Sequence, residues 1–309
     1  MNIITLLNAM PGACAQGLIW GIMAIGVYIT YKILDLADLT VDGTMCTGGA
    51  VCIIMMMNGY SVGLSLLCAF AAGMLAGLVT GIFHTVMGIP AILSGILTQL
   101  GLYSVNLRIL MGKSNQALSV DKYDLLVSLR YVKGVPFYQN TIFIVLVFVI
   151  VIIAVLYWFF GTELGCSIRS TGSNPNMSRA QGINTDLSKM IGLMLSNGIV
   201  ALASGLYAQY QGFADVNMGR GAIVIGLAAV IIGEVVFGKI RLNFAFKLLS
   251  VALGAIIYYL VLQIVLWLGL NSNDLKLLSA LVVGVFLAIP HLKSKYFAKR
   301  AGKGGTANA

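Results

Sequence analysis

Gly161–Asn184, "GTELGCSIRSTGSNPNMSRAQGIN", is one of two long polar interruptions in a chain that is otherwise strongly apolar. Two arginines, Arg169 and Arg179, and several small polar residues make it unfit for a bilayer interior. Helix signals run through it. "LGCSIRS" reads as one short helix and "NPNMSRAQG" as a second, with Asn174 as cap and Pro175 at its first position. Gly172 and Gly182 are expected to end them, where left-handed backbone is required. Such a segment fits only outside the membrane, joining two crossings, so its flanks must be transmembrane helices.

Composition agrees. Of 309 residues 59% are hydrophobic and 9% charged, against about 25% charged in soluble domains. No polar stretch is long enough to bury a core of its own. The net charge of +9 is partly carried by the C-terminal "HLKSKYFAKRAGKGG". Without a basic patch interleaved with aromatics, it argues for membrane topology rather than nucleic acid. Cys14, Cys46, Cys52, Cys68 and Cys166 form no CxxC pair, so they read as free thiols, with neither a disulfide framework nor a metal site. The N-terminal stretch lacks the basic region of a cleaved signal, so the first apolar run is expected to be retained.

A crossing needs about 20 apolar residues. By that measure spans are expected near 13–34, 42–57, 61–83, 91–111, 140–160, 188–211, 220–238, 244–268 and 274–290. The fold class is therefore an all-α polytopic membrane protein of about nine transmembrane helices, with a range of eight to ten. The whole of 1–309 reads as a single membrane domain. Lysines and arginines in the tail 291–309 place the C-terminus in the cytoplasm. Parity then puts 161–187 on the cytoplasmic side and 112–139 outside, against the basic residues of the latter. The stretch "KYDLLVSLRYV" inside 112–139 reads as a short amphipathic helix.

An internal repeat supports this scheme. "GVYITY" (Gly26–Tyr31) and "GLYAQY" (Gly205–Tyr210) share GxYxxY, and each precedes an Ala-Asp pair, Ala37-Asp38 and Ala214-Asp215. The copies start five spans apart and so run in opposite directions, the arrangement of inverted-repeat transporters, whose interrupted helices meet near the midplane. The first break, "DLADLTVDGT", holds Asp38, Thr40 and Asp42. Ionisable groups at such depth face protein or a water-filled cavity. One reading is a pore-lining break that touches solute; the other is a capped turn between two helices. Asp38, Thr40, Asp42, Asn197, Tyr207 and Asp215 are the candidate solute-pathway residues. Tyr207 can stack on an aromatic solute or simply pack between helices.

Catalytic and nucleotide motifs are missing. "MGKSN" imitates the tail of a P-loop, but Leu107 stands where the first glycine belongs and no strand precedes it. His84 and His291 lie near helix ends, with no acid–base or metal set around them. The chain reads as non-enzymatic.

Two blocks carry a family resemblance. "GTELGCSIRSTGSNPNMSRAQGIN" with the following "LSKMIGLMLSNGIVALASGLYAQYQG" resembles the coupling-loop region of ABC importer permeases of the branched-chain amino-acid type. "GLIWGIMAIGVYITYKILDLADLTVDGTMCTGGA" resembles the N-terminal signature of the same family, and "DLTVDGT" is similar to its tryptophan- and tyrosine-uptake branch. Glu234 departs from the pattern, which has glycine there. The resemblance implies an importer permease working as a pair, most simply a homodimer. It implies two cytoplasmic ABC ATPase subunits that bind ATP and Mg, an extracytoplasmic solute-binding protein, and no cofactor in this chain. It implies that 161–187 is the coupling loop, with Arg169, Gly172, Asn174, Pro175, Arg179 and Gly182 meeting or shaping the ATPase contact. The solute implied is an aromatic or other hydrophobic amino acid. An ion-coupled secondary transporter is the alternative that the inverted repeat and the membrane carboxylates keep open.

Overall fold

In a bilayer every backbone N–H and C=O must be paired within the protein, so apolar runs become helices. The computed structural model describes residues 3–268 apart from 120–121, 124, 133–135, 137–138 and 238–242, with scattered helical positions between 277 and 288. The long helices are α1 (Ile3–Tyr28), α2 (Thr40–Met57), α3 (Val62–Thr85), α4 (Ala91–Ile109) and α5 (Thr141–Phe159). Two short helices follow, α6 (Glu163–Ser173) and α7 (Pro175–Ala180), then α8 (Thr185–Gln211), α9 (Ala222–Phe237) and α10 (Phe244–Trp267).

Six stretches are long and apolar enough to span: Leu6–Ile33, Thr40–Met57, Val62–Thr85, Thr141–Phe159, Thr185–Gln211 and Phe244–Trp267. The expected nine is therefore not reached among the described residues. Helix α4 is long enough but carries Ser94, Thr98, Gln99 and Asn106 on its inward faces. Helix α9 has only 16 residues. The ninth expected span, 274–290, falls largely outside the described residues, as does the tail 291–309.

Helices α1, α2 and α8 form the centre: 83%, 72% and 72% of their spanning windows are buried, against 22% for α5. Small residues let them meet at backbone distance, the usual device where lipid supplies no hydrophobic drive between helices. A Cβ on Gly48 would overlap the Ala201 backbone, and one on Gly77 the Leu193 carbonyl. Contacts give the directions. Tyr210 meets Gly12 and Ser196 meets Gly26, so α1 and α8 are antiparallel. Thr44 meets Asn197 and Cys52 meets Gln209, so α2 runs parallel to α8.

The expected helix over 122–132 is not formed. Only Leu129–Val132 makes a 3-10 turn. Upstream, β1 (Asn115–Ala117) pairs antiparallel with β2 (Phe213–Asp215), residues about a hundred positions away. This pairing ties the ends of α4 and α8 together at the face opposite α6 and α7. "MGKSN" is the turn from α4 into β1, with Met111 and Gly112 at φ 57° and 78°. A strand follows it rather than a helix, the reverse of a phosphate-binding loop.

Candidate functional site

The repeat has a geometric counterpart at two breaks. Helix α1 passes into a π-helical turn, Ile29–Ile33, and the chain then reverses through Asp35 at φ 54°. Residues 34–39 return inward, and α2 starts beside the middle of α8. Asp38 accepts the Thr40 N–H through Oδ1 at 2.9 Å. In the second copy Asp215 Oδ1 accepts the Asn217 N–H at 2.6 Å. Both aspartates thus close the same side-chain turn onto residue i+2.

The first break is sealed by a buried polar network. Asn197 Nδ2 donates to Asp38 Oδ2 at 2.7 Å and to the Leu193 carbonyl at 3.0 Å, while its Oδ1 accepts from the Thr44 hydroxyl at 2.7 Å. The hydroxyls of Thr40 and Thr80 lie 2.7 Å apart, and Thr80 donates to Thr98 at 2.9 Å. The network joins α2, α3, α4 and α8. Away from water each of these groups needs a protein partner, and each described here has one.

Asp38 and Thr40 are therefore buried in this conformation, at 3% and 0% exposure, rather than lining a wet passage. Asp42 differs. Its two carboxylate oxygens accept the Gly221 and Ile223 N–H groups, each at 3.0 Å. An acidic group there satisfies unpaired donors and complements the positive end of the α9 dipole. Asp42 also borders a cavity of about 270 Å³ with Gln99, Tyr103, Asn106 and Arg220. An expected result follows for single cysteines in a background lacking the native ones. Asp42→Cys reacts quickly with a small polar thiol reagent in the resting protein, and Asp38→Cys and Thr40→Cys react only when transport opens the break. Equal reactivity at all three in resting protein would contradict this burial.

The remaining pathway candidates separate. Asn197 is the hub of the network. Tyr207 is packed between α1 and α8, edge-on to Trp20 at 5.4 Å, with Gln16 and Gln211 donating to its hydroxyl. Asp215 lies at the opposite end of α8, near Asn115 of β1. Asn197 and Tyr207 are not gathered with Asp42, whereas Asp215 adjoins Val216 in the wall of the Asp42 cavity.

At the other face, α6 and α7 lie as the sequence indicates. Asn174 caps α7 by accepting the Met177 N–H at 3.1 Å, with Pro175 at the first helical position. Gly182 takes φ 81° after the end of α7. Gly172 corrects the expectation: α6 continues through it to Ser173, and its backbone lies against Ile33, whose carbonyl a Cβ would overlap. Its missing side chain serves a close approach, not a turn. Arg169 is exposed on α6 with its guanidinium 5.5 Å from the Phe244 ring. Arg179 is engaged within the chain, with Nε donating to Thr185 at 2.8 Å and an ion pair to Asp186 at 3.3 Å. Glu234 pairs with Lys32 of the π turn at 3.0 Å.

Thr44, Thr80, Thr98, Gln99, Tyr103 and Asn106 are not among the residues the sequence singles out. The only sequence signal for them is polar residues recurring at three- and four-residue spacing within apolar helices.

Two broken repeats facing each other, with a polar helical pair at one end, are the build of a polytopic transport permease. The chain belongs to the family of branched-chain amino acid transport system permease components, whose family model matches residues 10–290. It is 41% identical over 286 residues to a tyrosine transport system permease protein of Clostridioides difficile, covering 93% of this chain and 92% of that one. It is 32% identical over 284 residues to the uncharacterized protein RP368 of Rickettsia prowazekii, covering 91% and 98%. It is 27% identical over 251 residues to the fructose import permease protein FruF of Bifidobacterium longum, covering 80% and 67%.

Proposed function

We propose that this chain is the membrane subunit of an ATP-driven importer for an aromatic amino acid. The observation that carries the reading is the identity with a tyrosine transport permease across nearly the whole of both chains. On this reading ABC ATPase subunits, which hold ATP and Mg, dock at 161–187 on the cytoplasmic side. A solute-binding protein delivers to the face bearing 112–139, and two copies of this chain form the pathway. The C-terminal tail then lies in the cytoplasm. The polar outer surface of α6 and α7 supports this docking, since Arg169, Asn174 and Asn176 are exposed there, beside an exposed Met177.

The two arginines are assigned different tasks. Arg169 offers its charge outward while stacking on Phe244, whereas Arg179 fastens α7 to α8. Arg169→Glu is expected to weaken ATPase docking by about 1.5–3 kcal/mol, the range for a hydrogen bond to a charged group. Arg179→Glu loses an exposed ion pair, a contact worth about 0–1 kcal/mol, and is expected to lower docking less. Affinity purification of the tagged permease from membranes tests both points. An ATPase chain should be recovered with wild type and reduced most in Arg169→Glu. Recovery of no ATPase, together with solute accumulation by the purified chain on an ion gradient alone, would favour a secondary transporter and remove this reading.

A further inference from the structure

Asp42 and Arg220 meet Asn106 and Tyr103 around a cavity that touches both broken repeats. It is bounded by α2, by α4 and by the Val216–Arg220 segment that leads into α9. Asn106 is 1% exposed and its Nδ2 donates to the Gly43 carbonyl at 3.4 Å, yet its Oδ1 has no hydrogen-bond partner. A buried acceptor left open in a cavity wall is unusual and calls for a donor from the cavity. Arg220 brings a guanidinium with no ion-pair partner among the described residues. Asp42 adds a carboxylate held in place by two backbone N–H groups, with lone pairs remaining for a further donor. Tyr103, 47% exposed, and Leu100 supply an apolar wall.

We infer that this cavity binds the zwitterionic head of a single amino acid, with its carboxylate on Arg220 and its ammonium on Asn106 Oδ1 and Asp42. The inference rests on the amino-acid import reading and assigns it a place. A simple anion would meet the Asp42 carboxylate, and a simple cation would leave Arg220 uncompensated; a zwitterion satisfies both. A volume of about 270 Å³ lies just below the roughly 300–1,000 Å³ of sites for drug-sized ligands, which suits one amino acid and not a peptide. The ring of Tyr103 offers a face on which an aromatic side chain stacks.

The test uses Asn217, an exposed residue of the same cavity wall. In membranes carrying the complete transporter, Asn217→Cys is introduced without the native cysteines and its labelling by a small thiol reagent is timed. Free tyrosine or tryptophan at ten times its Kd should slow labelling about tenfold. Tyramine, which lacks the carboxylate, should not, and Arg220→Gln should abolish the protection by tyrosine. Equal protection by tyramine, protection that survives Arg220→Gln, or no protection by either amino acid overturns the site. ATP-driven uptake is read on the same membranes. Uptake without protection removes the site and leaves the import reading standing; protection without uptake removes the import reading and leaves the site.

Discussion

Gly172→Ala is expected to abolish solute uptake while the permease still reaches the membrane. In the folded protein the α6 backbone at Gly172 lies directly on Ile33 and Leu34, and an added Cβ would overlap the Ile33 carbonyl. Backbone on both sides means that no rotamer change relieves the overlap, so either α6 retreats or the π turn distorts. Overpacking of this kind costs about 1–3 kcal/mol. The functional cost is larger, because the π turn Ile29–Ile33 leads straight into residues 34–39 and the Asp38–Asn197 contact. Leu34 also fills the space left by Gly192 on α8. Motion of α6 therefore reaches the first break through contacts with no slack. Gly182→Ala is the contrast. Gly182 has positive φ but nothing within 4 Å of an added Cβ, so the change brings only left-handed strain of about 1–2 kcal/mol and should leave uptake largely intact. Uptake at the wild-type rate in Gly172→Ala, or an equal loss in both variants, would show that this contact does not transmit the movement.

Gly172 also marks where reading the sequence stops. Local chemistry was legible in the α6–α7 region: the Asn174 cap, Pro175 at the helix start and left-handed Gly182 all depend on residues within a few positions. Apart from α1, which starts at Ile3 rather than near residue 13, the long helices begin and end within a few residues of where apolar runs predict, for the same reason. Glycine often ends helices, so the local sequence points to a terminator at Gly172, yet its task is set by Ile33, which lies 139 positions earlier. The pairing of β1 with β2 is equally non-local, and within "KYDLLVSLRYV" beyond it backbone groups bond to distant partners, Leu126 N–H to Gln209 and Ser128 to Thr141. Tyr207 belongs to the repeat motif, but only the fold shows that Trp20 and Gln16 enclose it. The repeat itself was visible because both copies need the same aspartate turn. The partner of each copy, Asn197 in one and Asn115 in the other, was not, since it comes from a different element each time.

The pairing of Asp38 with Asn197 predicts a specific pattern of loss and recovery. Asn197→Leu should lower the stability of the detergent-solubilised protein by about 3 kcal/mol, since stranding a buried polar group costs about 1–3 kcal/mol and more when the group is charged. Thr44 can fall back on the Thr40 carbonyl, which it already reaches at 3.1 Å; Asp38 Oδ2 accepts from Asn197, and its other oxygen is already taken by the Thr40 N–H. Asn197→Asp alone sets two carboxyls against each other. Asp38→Asn alone must turn its NH₂ toward either the Thr40 N–H or Asn197 Nδ2, and both are donors. Combining Asp38→Asn with Asn197→Asp restores a donor facing an acceptor and leaves oxygens for Thr40 N–H and the Thr44 hydroxyl. Only the bond from residue 197 to the Leu193 carbonyl is not recovered. The double variant should therefore be more stable than the sum of the two single losses, by a coupling energy of about 0.5–3 kcal/mol, yet below wild type. Thermal melting of the four proteins measures this. Strict additivity would mean that the two side chains do not act as a pair, and the seal at the first break would then rest on the threonine chain alone.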